Sequence, residues 1–276
     1  MLIDQARERI AAEQRLLDSL HSVARLGRTD GESLLYTIDL MRSLESGDVI
    51  QRHKAALGSG VDGGLPTETL AQAVLQETVL NAAGAMRWAL AQADAEAVPH
   101  VVKGMDDESA QVRRNALLTL DEIRRTTPDE ELDSRSTSMI QQALELALDD
   151  AVPDIRSIAA LALGRSFDAK AVPVLLDMAM NGPKDIEAAE AIGSIVDAAG
   201  PEADMSERIM TELHRHAESS DTRARFRVLQ VLLEIPGDRS DEPIAGLSDD
   251  DSPELAATAR AALNRRREQS PRTGRT

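Results

Sequence analysis

Apolar residues recur along this chain at intervals of three and four, with polar residues between them. Val112, Ala116 and Leu120 fall at i, i+4 and i+8, as do Ile155, Ala159 and Leu163, and again Leu255, Ala259 and Leu263. Residues four apart share one face of a helix, so each triad predicts an amphipathic helix with a buried stripe. The small alanine in the middle lets a neighbouring helix approach closely. No alternation of β-branched residues is long enough to predict a strand. The triads belong to a longer phrase. Residues 97–123 and 139–163 each contain an apolar helix, an Asp-Asp pair, a short turn, a branched apolar residue followed by Arg, and an Ala/Leu-rich helix. Asp107 precedes Arg113 by the same six positions as Asp150 precedes Arg156. Self-similarity of this kind marks an array of repeats, each made of two helices.

Weaker copies follow over 171–196, 208–233 and 242–263, with Glu187, Arg223 and Ala256 read in the arginine slot. Helix starts carry their own signals. Ser252-Pro253 places a capping side chain before a first-turn proline, and Pro153 and Pro183 suit the same position. Thr127-Pro128-Asp129-Glu130 has the spacing of a capping box.

On these residues the chain resembles HEAT repeats, specifically the short type named after phycobilisome lyases, whose mark is a turn Asp, a Val/Ile-Arg pair and A-x-x-x-L. Asp107, Val112, Arg113, Ala116 and Leu120 fit it, as do Asp150, Ile155, Arg156, Ala159 and Leu163. The resemblance covers about 97–263, and Glu187 and Ala256 depart from it. It implies an all-α fold: an α-solenoid of helical hairpins that ends in an N-terminal helical cap. By analogy with such proteins the second helices line one side of the array. The contact residues there would be Arg114, Asn115 and Leu118 in the first clear copy, Ile158 and Arg165 in the second, and Arg225 in the fourth.

Residues 1–96 are read as the cap or as atypical repeats. Ile3, Ala6, Ile10, Leu17, Leu20 and Ala24 line a first helix ending near Gly27, which can alternatively dock a partner. A second helix carries Leu34, Ile38 and Met41 and ends near Gly47, a loop occupies 58–66, and Thr67 caps a long helix running to about Asp94. Residues 264–276 hold five Arg and one Glu and read as a basic, disordered tail. Arg265, Arg266 and Arg267 can touch an acidic partner or stay solvated.

The formal net charge is −17, and only Lys54, Lys103, Lys170 and Lys184 among the 31 basic residues are lysine. Either the surface meets a basic partner or it is adapted to a salt-rich cytoplasm. The acid-rich, lysine-poor balance favours adaptation and resembles proteins of extremely halophilic archaea. Residues 97–263 hold 17 basic and 33 acidic residues, with Phe167 and Phe226 as the only aromatics there. That argues against a nucleic-acid channel, which needs a basic surface with stacking platforms. No signal-peptide core or span of ~20 apolar residues is present, so a cytoplasmic protein is expected.

Candidate chemistry is sparse. The chain has no cysteine, which excludes disulfides and thiolate metal sites. Gly58, Gly60 and Gly63 spell G-x-G-x-x-G, but the preceding residues read as a helix end instead of a strand, so the motif reads as loop. His214 and His216 are two apart and diverge on a helix; His21, His53 and His100 are scattered, and no His-Glu dipeptide occurs. Asp249, Asp250 and Asp251 occupy a repeat turn, where capping accounts for them. No catalytic, metal or cofactor site is assigned. The expectation is a non-enzymatic scaffold that binds another protein. The alternatives are a lyase-like chaperone that places a cofactor on a client, implied by the resemblance alone, and more weakly a nucleic-acid binder.

Overall fold

In a computed structural model of the chain, residues 31–62, 64–128, 130–200, 204–236 and 238–269 are described. The expected first helix at 1–27, Gly63 and residues 270–276 lie outside them. The described residues contain helices and turns and no strand. The first helices of successive hairpins are α1 (Gly31–Leu44), α3 (Thr67–Gln76), α5 (Val98–Val102), α7 (Ser134–Ala147), α9 (Val172–Asn181), α11 (Asp204–Ala217) and α13 (Asp241–Leu247). Their second helices are α2 (Val49–Asp62), α4 (Leu80–Ala91), α6 (Ala110–Thr126), α8 (Pro153–Arg165), α10 (Asp185–Ala199), α12 (Thr222–Glu234) and α14 (Pro253–Gln269). The architecture is that of an α-solenoid. The chain divides into two compact units between Ala143 and Leu144, inside α7, and hairpins run through residue 97 without a break.

In both units second helix packs on second helix: α2 on α4 and α4 on α6 in one, α8 on α10, α10 on α12 and α12 on α14 in the other. The predicted triads are their buried stripes, except that Leu263, at the end of the third, is half-buried. Ala116, Leu120, Ile155, Ala159, Leu163, Leu255 and Ala259 are fully enclosed, and Val112 nearly so. Close approach is secured by small residues. A Cβ on Gly164 would stand 2.9 Å from the Cβ of Ala191, and one on Gly193 would meet the carbonyl oxygen of Glu234.

The turn phrase has a physical basis. Asp107 Oδ1 accepts from the Ser109 N–H at 2.8 Å, and Arg113 Nη1 donates back to the Asp107 carbonyl at 2.9 Å. Asp150 does the same for the Val152 N–H at 2.8 Å, and Arg156 Nη1 donates to the Asp150 carbonyl at 2.7 Å. The side chain fixes the turn and the arginine fastens it to its second helix.

Two further copies use serine for the acid. Ser46 Oγ accepts from the Asp48 N–H, and Arg52 Nη1 donates to the Ser46 carbonyl at 2.8 Å. Ser219 Oγ accepts from the Asp221 N–H, and Arg225 Nη1 donates to the Ser219 carbonyl at 2.8 Å. The slot of the fourth sequence copy is therefore Arg225, two residues beyond Arg223. The slot of the third is Ala189, because Ala188, Ile192 and Val196 take the buried positions and Glu187 is exposed. Arg52 gives the α1–α2 hairpin the same turn.

Arg52 and Arg225 also reach the next turn. Arg52 grips Glu77 with two bonds of 2.7 and 3.0 Å, and Arg225 grips Asp250 with two of 2.6 and 3.0 Å. Burial pushes the Glu77 carboxyl up, but Arg52 and the N–H groups of Val79 and Thr78 outweigh it and leave it below its usual range. The Arg225 guanidinium likewise holds Asp250 down.

Several boundaries differ from expectation. α2 continues through the expected loop as far as Asp62. The long helix from Thr67 is two helices, broken where Glu77 turns its side chain onto the N–H groups of Thr78 and Val79; Thr67 is the first helical residue and Pro66 precedes it. Thr127 ends α6 instead of starting a helix, and α10 begins at Asp185, two residues past Pro183. Residues 264–269, expected as tail, continue α14. There Arg266 donates to the carbonyls of Leu232, Leu233 and Ile235 and to Asp241 Oδ1, closing the end of α12.

Candidate docking face on the first unit

Counting from the arginine slot gives every second helix a common register. In the first unit the slots are Arg52, Ala83 and Arg113; Ala83 and Arg113 each follow the buried residue that opens a stripe, and Arg52 is placed by its turn. Five residues later stand Leu57, Trp88 and Leu118. Leu57 is 40% exposed and Trp88 38%, while Leu118 is half-buried. One position after the slot come His53, Gly84 and Arg114; nine after it come Val61, Gln92 and Glu122. Three successive helices thus present one lattice with a row of large apolar side chains along its middle.

The row is held in place. A Cβ on Gly60 would collide with Cζ3 of the Trp88 ring and stand 2.9 Å from its Cε3. Gly60 thereby seats one side of the indole on α2, and the rest stays open. The glycine pattern noticed in the sequence serves this packing: Gly58 and Gly60 are helical, far from any strand–helix turn.

Arg87, beside Trp88, is half-buried, and its Nη1 is enclosed without a hydrogen-bond partner. Burial pushes its guanidinium below its ordinary value. The nearby Arg114 charge acts in the same direction, and Glu122 opposes both.

Of the residues expected as contacts, Arg114 and Leu118 belong to this lattice. Asn115 does not: it is 1% exposed, and its Nδ2 donates to the carbonyls of Val74, Leu75 and Glu77 at 3.0, 3.2 and 2.8 Å, closing the end of α3. Ile158 is 7% exposed and packs inside the second unit. Arg225 is committed to its turn and to Asp250. Arg165 is exposed at the end of α8. Leu57, Gly84, Arg87 and Trp88 were missed. Ser46 with Arg52 six residues on was the signal that would have found them, because it sets the register of α2 and, one hairpin later, of α4.

Three cavities lie on the first-helix side of their units. One of about 890 Å³ in the first unit has Leu75, Met86 and the Arg52–Glu77 pair on its wall. Two in the second unit, of about 770 and 750 Å³, lie to either side of α11. Among the described residues no group of three or more His, Asp or Glu is arranged to hold a metal ion, and no helix is long and apolar enough to cross a membrane.

Residues 98–196 match the family model described as HEAT repeats, a stretch well under half of the chain. No curated protein matches the sequence. Among solved structures, a computationally designed armadillo repeat protein for modular peptide recognition is similar at 16% identity and a TM-score of 0.41, over 82% of this chain and 98% of that one. A second designed armadillo repeat protein gives 16% identity and 0.39 over the same shares. An engineered protein gives 18% identity and 0.35, over 83% of this chain and 77% of that one. At such scores these likenesses carry no weight beside the hairpin geometry itself.

Proposed function

We propose that the chain is a non-enzymatic scaffold that binds a protein partner through the second-helix face of its first unit. The observation that carries this is the row of exposed Leu57 and Trp88 and half-buried Leu118 in a chain with one Trp, one Tyr and two Phe. An indole fixed on one side and open on the other supplies contact area at small entropic cost, and tryptophan and arginine are over-represented among residues that dominate binding energy. Leu118 and Arg114 act as contact surface, with Arg165 as an outlying contact on the second unit. The acidic remainder of the surface is an adaptation to a salt-rich cytoplasm. Within HEAT repeats, the turn Asp, Val/Ile-Arg pair and A-x-x-x-L resemble the short type of the phycobilisome lyases.

The test uses the full chain as bait in matched lysates, against the variant Leu57→Ser, Trp88→Ser, Leu118→Ser. Proteins retained by the wild type should be lost with the variant while both melt at similar temperatures. Retention of the same proteins by a folded variant would show that docking takes place elsewhere.

A further inference from the structure

We propose that Asn181 is a site of spontaneous chemical modification: when the last turn of α9 opens, the Gly182 backbone nitrogen attacks the Asn181 side-chain amide, and the residue ends as aspartate or isoaspartate.

The site is created by a packing constraint. α9 ends at the exposed Asn181, and Gly182 follows it. A Cβ on Gly182 would lie 2.8 Å from the Met178 carbonyl oxygen and 3.0 Å from the Met178 Cα. Backbone cannot swing aside as a side chain can, so the turn requires glycine. Glycine is also the residue whose nitrogen is least shielded, because no side chain stands beside it. The other asparagines, Asn81, Asn115 and Asn264, are followed by Ala, Ala and Arg.

The fold holds the two reacting groups apart. Asn181 Nδ2 donates to Asp177 Oδ1 at 2.9 Å, and the Gly182 N–H donates to the Met178 carbonyl at 2.8 Å. Both acceptors lie one turn back along α9, so the side-chain amide is drawn away from the nitrogen that follows it. A nitrogen engaged as a donor is also hindered from losing its proton. These bonds sit at a helix end, where opening costs least.

Once they open, reaction proceeds in two steps. The Gly182 nitrogen gives its proton to solvent and bonds to Asn181 Cγ. The Cγ–Nδ2 bond breaks, and ammonia, protonated from solvent, leaves a five-membered imide. Water then adds to either ring carbonyl. Breaking the new bond from nitrogen to Cγ gives aspartate. Breaking the original peptide bond gives isoaspartate, with the main chain rerouted through Cβ and Cγ. One water is consumed, one ammonia is released and no electrons are transferred.

The product changes its surroundings. A carboxylate replaces the donor that faced Asp177, and like charges four residues apart at the negative end of a helix destabilise the turn. Asp177, Met180 and Asn181 also wall the cavity of about 750 Å³ beside α11, so conversion adds negative charge to it.

The experiment incubates the full chain at mildly alkaline pH, folded and in guanidinium. The tryptic peptide 171–184 is followed by mass spectrometry with electron-transfer fragmentation, which distinguishes the two products. Conversion of Asn181 ahead of the other asparagines is expected, with both aspartate and isoaspartate formed. The folded chain should convert about tenfold more slowly than the denatured one, because two hydrogen bonds must open first. Asn181→Gln, which would need a larger ring, should abolish the reaction in both states and leave the circular dichroism unchanged. The converted form, separated by ion exchange, should melt below the parent.

Equal rates in the folded and denatured chains would overturn the gating by the last turn of α9. A folded chain still unconverted after about a hundred half-lives of the denatured one would overturn the site. Aspartate without isoaspartate would mean direct hydrolysis and overturn the attack by Gly182.

Discussion

Five residues after the arginine slot, the first unit carries Leu57, Trp88 and Leu118, and the second carries Leu161, Ser194, Gln230 and Ala261. The stripes beneath are alike. Val112, Ala116 and Leu120 are buried as Ile155, Ala159 and Leu163 are. What differs is the use of glycine. Gly193 lets its helix approach the Glu234 backbone, and Gly164 makes room for the Ala191 methyl. Gly60 instead admits an indole between two helices. One hairpin scaffold thus carries mostly small or polar side chains along this row in one unit and large apolar ones in the other. The pressure that fixes the core says nothing about the face.

The largest effect should come from the second unit. Ile155 is fully enclosed, so Ile155→Asp buries a charge without a partner and should cost about 4 kcal/mol or more. Ser157→Asp, half-buried on another side of α8, should cost under about 1 kcal/mol. Equal melting temperatures for the two would show that the register of α8 is wrong.

The glycines test the comparison directly. Gly193→Ala drives a methyl against backbone, the Glu234 carbonyl, and should cost about 2–3 kcal/mol. Gly60→Ala meets chiefly the Trp88 ring, which can swing, with the Ala89 Cα at 3.1 Å behind it, and should cost about 1–2 kcal/mol while shifting Trp88 emission to the red. Equal costs with unchanged emission would erase the distinction between the faces.

Arg52→Gln leaves the buried Glu77 carboxylate with half of its support, and should cost about 2–3 kcal/mol at neutral pH. Because the Glu77 pKa is lowered in the folded state, the stability it contributes is complete above its unfolded value of about 4.3 and is lost as pH falls through the folded one. The gap between wild type and Arg52→Gln should therefore close in acid. A gap that stays constant down to about pH 2 would mean that the pair does not titrate with folding.

The smallest effect concerns salt. Screening shortens from about 10 Å at 0.1 M to about 3 Å at 1 M, so self-repulsion from a net charge of −17 should ease and melting should rise by several degrees. A flat melting temperature across that KCl range, followed by circular dichroism, would return the acidic surface as evidence for a basic partner.

Legibility followed burial. Wherever a stripe faced the interior, as at Ile155, Ala159 and Leu163, its period disclosed both the helix and its buried side. The turn chemistry was legible only when written with Asp. Ser46 and Ser219 do the same work with a hydroxyl, because the arginine binds a carbonyl that every residue possesses. That is why Arg223 was taken for Arg225. It is also why 67–94 was read as one helix, without a register to place Trp88. Asn115 was misplaced for a different reason. A polar side chain two residues past the slot looks solvent-facing by type, yet it closes the end of a helix distant in sequence. Arg227, two past Arg225, reaches the Ala179 carbonyl in the same way at 3.4 Å. Such long-range capping leaves no periodic trace.

Arg266 also bears on how the molecule comes apart. From α14 it holds the last carbonyls of α12, and its bond to Asp241 pins the start of the seven-residue α13 as well. The outermost helix of an array is ordinarily the first to fray. Here fraying α14 as far as Arg266 releases the end of α12 at the same moment. Amide exchange should therefore record the C-terminal turn of α12, the start of α13 and the last turns of α14 opening as one event with one free energy. Three helices that look separable on paper would then behave as a single latch.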